Sequence, residues 1–309
     1  MSFNYRPGIE VEQKPFIECS NMIEISAKEL NFDEARKKLN EVIYTLTKLV
    51  DLFHSKNVLM QNWMKPSEVL LLKQCLHASS INKLMIPVPL FRGDNGEVLL
   101  VQDISSIYVL SRAQMECYLT LFYFVLSPTN NDEGNFKQML YELSGLSNRQ
   151  SYFCTMPESL AKKHTEANEI NVLRHKISQN VWYQNLSQGD KKKVDKQYPA
   201  ARLIGWERII ELTRFKENYL ASTWKLYSNF AHSEFIGGIQ FNGYLLDNKD
   251  LQEALYHTLE FTIMILCVTI TEVLNLFPEI AKDYEQTVSM ENRTYVYYWS
   301  LIGLKKDLQ

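Results

Sequence analysis

The sequence predicts an all-α protein: a multi-helix bundle with an N-terminal helical extension and one small β-hairpin. Three observations carry that prediction. Apolar residues recur at spacings of three and four along most of the chain, the period of a helix with one buried face. Helix-breaking residues are few, with 11 Gly and 9 Pro in 309 residues, below the average usage of roughly 7% and 5%. Hydrophobic residues make up 46% of the chain, among them 17 Tyr, 15 Phe and 5 Trp, enough to fill a sizeable core.

Residues 1–25 mix Pro7, Gly8 and Pro15 with polar side chains, which reads as an irregular arm. Residues 26–103 read as N-terminal helices and a hairpin, and 104–309 as the helical-bundle core domain. Ser26-x-x-Glu29 and Asn31-x-x-Glu34 both have the form of a helix start, where a side-chain oxygen caps free backbone N–H groups. Behind them Ala35, Leu39, Val42, Ile43, Leu46, Leu49, Val50 and Phe53 set an amphipathic helix running to about Lys56. Pro66-Ser67 opens the next, through Leu70 to Leu76. From Met85 to Asp103 two apolar runs flank Gly93-Asp94-Asn95-Gly96, the pattern of a β-hairpin. Pro87 and Pro89 restrict its first strand to an edge.

Beyond it the spacing predicts helices over 104–127 (stopped by Pro128), 132–150, 158–186, 202–213, 216–233 and 248–277 (stopped by Pro278). Shorter ones follow over 279–287 and 293–304. The polar, basic connector 187–199 has room for one short helix, and the glycine-bearing stretch 237–244 reads as a loop. No fixed-period repeat and no low-complexity tract is present.

Composition excludes several function classes. Lys and Arg number 33 against 36 Asp and Glu, a net charge of −3, so no strongly basic nucleic-acid binder is indicated by charge alone. The N-terminal 20 residues contain no apolar run, so no signal peptide is expected there. The most apolar stretch, "FTIMILCVTIT" between Glu260 and Glu272, is eleven residues. A membrane span needs about 20, so this reads as a buried core helix and no membrane is expected as a partner. Five scattered cysteines without a C-x-x-C pair argue against a zinc ribbon and a redox motif, and point to a reducing, cytoplasmic compartment. No G-x-x-x-x-G-K-[ST], G-x-G-x-x-G, H-E-x-x-H or G-x-S-x-G occurs, so no nucleotide-binding loop is expected. His164 with Glu158 or Glu166, and His175 with Glu169, lack the repeated spacing of a di-metal bundle. No metal or cofactor is assigned.

Polar residues within apolar helices supply the candidate site. Arg112 and Glu116 are the charges in the body of the 104–127 helix, and their i,i+4 spacing puts them on one face. A buried charge needs a partner. Either they pair to orient the helix or they line a polar site between helices. In the 216–233 helix, Trp224, Tyr227, Ser228, Ala231 and His232 make one continuous face. Ser228 and His232 are close enough to touch, although a helical Ser more often bonds back to its own backbone. His232 stands out among the six histidines because it lies at a helix end beside glycines, where ligand-binding groups gather. The stretch 202–219 interleaves Arg202, Trp206, Arg208, Arg214 and Lys216, which suits stacking and phosphate contact, but Glu207, Glu211 and Glu217 offset the charge and favour a solvated face. Lys191-Lys192-Lys193 with Lys196 reads as a solvated loop by the same default.

Arg112-x-x-x-Glu116 in a central apolar helix, followed by Tyr227-Ser228-Asn229-Phe230-Ala231-His232, resembles a set of bacterial all-helical proteins related to the HEPN superfamily. The likeness covers about 104–277. HEPN-like proteins include ribonucleases of toxin–antitoxin and phage-defence systems, which use an Arg, then four to six residues, then a His, at a dimer interface. The resemblance therefore implies RNA as a partner, a homodimer, and Arg112, Glu116, Tyr227 and His232 as site residues. The sequence departs from that pattern in one place. No Arg lies four to six residues before His232: the nearest upstream base is Lys225, a poor substitute for a guanidinium fork, while Arg174 and His175 are adjacent. The alternative expectation is a non-enzymatic helical interaction protein whose internal polar residues fix packing.

Overall fold

The computed structural model describes residues 13–56, 58, 60–92, 96–246 and 248–305. In chain order the elements are α1 (Gln13–Glu29), α2 (Phe32–Ser55), α3 (Ser67–Leu84), β1 (Val88–Arg92), β2 (Val98–Val101), α4 (Ile104–Leu121), α5 (Asn131–Gln150), α6 (Pro157–Gln179), α7 (Val181–Gln184), α8 (Gln188–Val194), α9 (Trp206–Leu212), α10 (Glu217–Ala231), α11 (Phe235–Leu246), α12 (Asn248–Leu276), α13 (Ala281–Thr287) and α14 (Met290–Gly303). Single 3₁₀ turns sit at Asn62–Met64 and Pro278–Ile280, and a π-helical turn at Phe122–Leu126 extends α4. The chain is all-α with one two-stranded hairpin.

The described residues fall into two compact units. One is drawn from Met1–Val58, Glu68–Thr120 and Ile210–Gln309, the other from Leu59–Ser67 and Leu121–Ile209. In the first unit α12 is the central helix, packed by α2, α11 and α14. By length and composition it is apolar enough to cross a membrane, yet 83% of its apolar window is buried inside the fold, as a core helix requires. Its threonines fit that setting because their hydroxyls bond back to the carbonyl four residues earlier: Thr258 to Ala254, Thr262 to Thr258 and Thr269 to Ile265, each at 2.8 Å. Buried Glu272 accepts from Tyr118 Oη at 2.8 Å, with Arg214 Nε 4.0 Å away. Gly303 lets α14 approach α12 closely, since a Cβ there would meet Met264 and Val268 at 3.0–3.1 Å.

The second unit is smaller. Its core gathers Phe136, Leu140, Leu143, Leu173, Ile177 and Val194 along the packed pair α5 and α6.

Local chemistry accounts for the element ends. Asn31 caps α2, its side chain accepting from Glu34 N at 3.1 Å, while Ser26 lies inside α1 and meets Tyr256 Oη at 2.9 Å instead. Residues 13–25 are thus helical where an irregular arm was expected. Pro15 falls in the first turn, where no backbone N–H is needed. Residues 1–12 lie outside the described residues, as do Gly93, Asp94 and Asn95 of the predicted hairpin connection. The strands pair antiparallel, Val88 opposite Val101, with a register shift between Pro89 and Phe91, and Gly96 has φ +82°. The predicted helix over 158–186 is broken at Asn180, whose side chain accepts from Trp182 N and Tyr183 N to start α7.

The expected loop over 237–244 is a correction. Those residues lie inside α11. The reversal before it is made by Ser233 at φ +51°, and Gly237 serves close approach instead: a Cβ there would sit 2.8 Å from Asn229 O.

Candidate functional site

Helices α4 and α10 position the candidate site within the first unit. Arg112 lies mid-way along α4, with its side chain 15% exposed. Its Nε donates to Glu116 Oε1 at 3.0 Å, the pair set up by the i,i+4 spacing. Helix α10 ends at Ala231 and His232 is its C-cap residue, with φ −102° and ψ 6°. Here the backbone leaves the helix, and the exposed imidazole places Nε2 2.9 Å from Arg112 Nη1. An arginine has only donors. In this contact His232 Nε2 can therefore serve only as the acceptor. Two turns back, the Trp224 ring lies 5.3 Å from the Arg112 guanidinium carbon, a cation–π contact that holds the fork from its flat side.

Arg112, Glu116 and His232 are thus brought together. Tyr227 is not part of that group. It is 2% exposed, its hydroxyl bonds Thr258 Oγ1 at 3.3 Å, and its ring packs on Tyr108 and Phe261. Burial pushes its phenol well above the usual value, so it is a core residue with its proton fixed in place. The reason is angular. Five residues on a helix turn about 140°, so when His232 faces Arg112, Tyr227 faces inward. Ser228 Oγ donates to Trp224 O at 2.6 Å, the back-bond common for helical serines, and it makes no hydrogen bond to His232 among the described contacts.

The other polar stretches are engaged within the chain. The Arg202 guanidinium stacks on Trp206 at 3.4 Å, Lys193 pairs with Asp190 at 2.7 Å, and Lys191 Nζ donates to Gln184 O at 2.6 Å. Glu166 is bound by Arg149, and His175 meets Gln179 at 3.2 Å. Among the described residues no three of His, Cys, Asp and Glu gather as metal ligands.

Neither a family model, nor a curated protein, nor a solved structure matches the chain. The functional argument therefore rests on the geometry. Trp224 is the site member that sequence reasoning placed on the right face without assigning it to the site. The signal was its i,i+8 relation to His232.

Proposed function

We propose that this chain is an RNA-binding or RNA-cleaving protein of the HEPN-like kind, serving in bacterial stress or phage defence and acting as a homodimer. The observation that carries the reading is the contact between Arg112 and His232, 120 residues apart, at a place where the imidazole is open to solvent. Helical packing alone does not need an exposed histidine on a half-buried arginine. A phosphate oxygen competes for the same guanidinium donors that His232 occupies, and a charged acceptor makes the stronger hydrogen bond. RNA binding would free His232 Nε2 beside the bound phosphate. From there the ring takes the proton of a neighbouring 2′-hydroxyl as general base. The 2′-oxygen attacks phosphorus, the bond to the 5′-oxygen breaks, and that oxygen leaves with a proton from solvent.

The test uses labelled single-stranded RNA at low salt, where phosphate contacts are strongest. The expected result is binding with slow cleavage. His232→Ala should lower cleavage at least about a hundredfold while leaving binding nearly intact. Arg112→Lys should weaken both, because an ammonium replaces the fork. Protein that neither binds nor cuts RNA overturns the reading. A second reading has its own observation: Glu116, His232 and Trp224 together occupy Arg112 on three sides, as in a clasp between α4 and α10. It expects His232→Ala to lower the unfolding midpoint without disturbing any RNA signal.

A further inference from the structure

A separate cavity of about 810 Å³ lies within the first unit, between the start of α2, the hairpin, α11 and the start of α12. Ligand cavities usually span roughly 300–1,000 Å³ and combine apolar walls with a few polar groups. This one fits that description. Ile86, Leu100, Ile104, Phe241 and Leu251 form much of the wall. Two of the amides at its edge satisfy each other and the backbone: Gln252 Nε2 donates to Gln102 Oε1 at 2.9 Å, and Gln102 Nε2 to Met85 O at 3.2 Å.

The cation in the wall is Arg36. Its Nε donates to Asn82 Oδ1 at 3.0 Å. Asn82 is itself 5% exposed and is locked by its own donors, to Arg36 O at 3.3 Å and Asn40 Oδ1 at 2.8 Å. A neutral amide thus fixes the guanidinium without neutralising it. Asp33 lines the same cavity, yet among the described residues no carboxylate pairs with Arg36. With Nε held by Asn82, the Nη groups of half-buried Arg36 are left to meet an incoming anion at a cavity with apolar walls, and their fork matches a carboxylate.

We propose that this cavity binds an organic monoanion with an apolar body, an alkyl carboxylate. Its head engages the Nη groups of Arg36 and its chain lies along Ile86, Leu100, Ile104, Phe241 and Leu251. Charge and shape point to one occupant. Apolar walls alone would take any greasy molecule, and a lone arginine any anion. Asn82 holding the fork at the wall of an apolar cavity selects a molecule that is both.

Calorimetric titration of the full chain with hexanoate, octanoate and octan-1-ol tests this. Octanoate should bind saturably at one site. Two methylenes should make it about tenfold tighter than hexanoate, since each is worth about three- to fourfold. Octan-1-ol should bind at least about tenfold more weakly, as should octanoate to Arg36→Gln, because each loses the charge-assisted fork. Leu100→Trp, at a lining position on β2, adds bulk to the apolar wall while leaving Arg36 unchanged, and should abolish octanoate binding. Circular dichroism of each variant establishes folding, and if Arg36→Gln does not fold, Leu100→Trp decides. Absence of saturable octanoate binding up to about 10 mM overturns the proposal. So does wild-type affinity in folded Arg36→Gln or Leu100→Trp, or affinity indifferent to chain length.

Discussion

Lys38 in the first unit and Lys137 in the second are 4% and 7% exposed, and their surroundings set them apart. Lys38 Nζ meets two carboxylates, Glu41 at 2.9 Å and Glu291 at 2.7 Å. Burial disfavours its charge, but the two acceptors outweigh that and hold the ammonium above its usual value. Lys137 has one carboxylate, Glu133 at 2.8 Å, with Ser127 Oγ at 3.0 Å and the Tyr123 ring at 4.4 Å. There burial wins, and the ammonium is held below its usual value. The raised ammonium has two carboxylate acceptors, and the lowered one has a single carboxylate and heavier desolvation. The carboxylates differ as well: Glu41 and Glu291 are 30% and 72% exposed, while Glu133 is 10% exposed. The large unit places its buried cation under a wet rim, and the small unit buries the whole pair.

The sharpest way to break this comparison is to remove each ammonium. Lys137→Met strands Glu133 in the interior and should cost the second unit about 3–5 kcal/mol, the usual consequence of leaving one partner of a buried pair. Urea unfolding at neutral pH measures it. A loss below about 1 kcal/mol would show that Glu133 reaches water and that the two units handle charge alike. Glu133→Gln in the Lys137→Met background should recover most of the loss, because the stranded charge is then gone.

A steric contrast should give an intermediate effect. In the second unit a Cβ added at Gly134 would fall inside the buried Trp63 indole, which also donates to Asn131 Oδ1 at 3.3 Å. Gly134→Ala should therefore cost about 1–3 kcal/mol, as over-packing does. In the first unit Gly303→Ala would meet Met264 Cγ at 3.0 Å, its Sδ at 3.1 Å and Val268 Cγ2 at 3.1 Å, side-chain contacts that small shifts relieve, most readily at the methionine, so thermal unfolding should place its cost within about 1 kcal/mol. Equal costs would mean that the Trp63 wall yields as readily as a methionine.

What the sequence made legible follows the range of the interactions. Asn31 as a cap, the apolar run of α12 and the Arg112–Glu116 pair each depend on residues within a turn or two, and local spacing is enough to read them. The rule that a buried charge needs a partner also nominated Arg112. That its partner besides Glu116 is His232 depends on how α4 and α10 pack, which no local pattern carries. Arg36 and Asn82 are 46 positions apart and give no signal at all. Tyr227 was misplaced because a helical face spans a wide arc and its buried and open flanks look alike in sequence. The glycines of 237–244 answer to a different need: their concentration in a glycine-poor chain predicts a loop, whereas Gly237 serves close approach to Asn229 O within α11.

The smallest effect belongs to Lys38→Met, and its pH dependence is the informative part. Both carboxylates it leaves are solvent-reachable, so the loss at neutral pH should stay within about 1 kcal/mol. Lys38 is raised above its ordinary 10.5, so its contribution is fully present below that pH and is lost as pH rises through the higher folded value. Glu291 is held below its ordinary 4.5 by Lys38, so its contribution is present above 4.5 and is lost as pH falls through the lower folded value. The stability difference between wild type and Lys38→Met should therefore form a plateau across neutral pH and close at both ends. Glu41→Gln, which leaves Lys38 a single carboxylate, should pull the ammonium down toward the Lys137 case, as read by NMR titration of its Nζ. If Lys38 stays above 10.5 in that variant, the number of carboxylates does not set the sign. The difference between the units would then lie in how deeply the rest of each pair is buried.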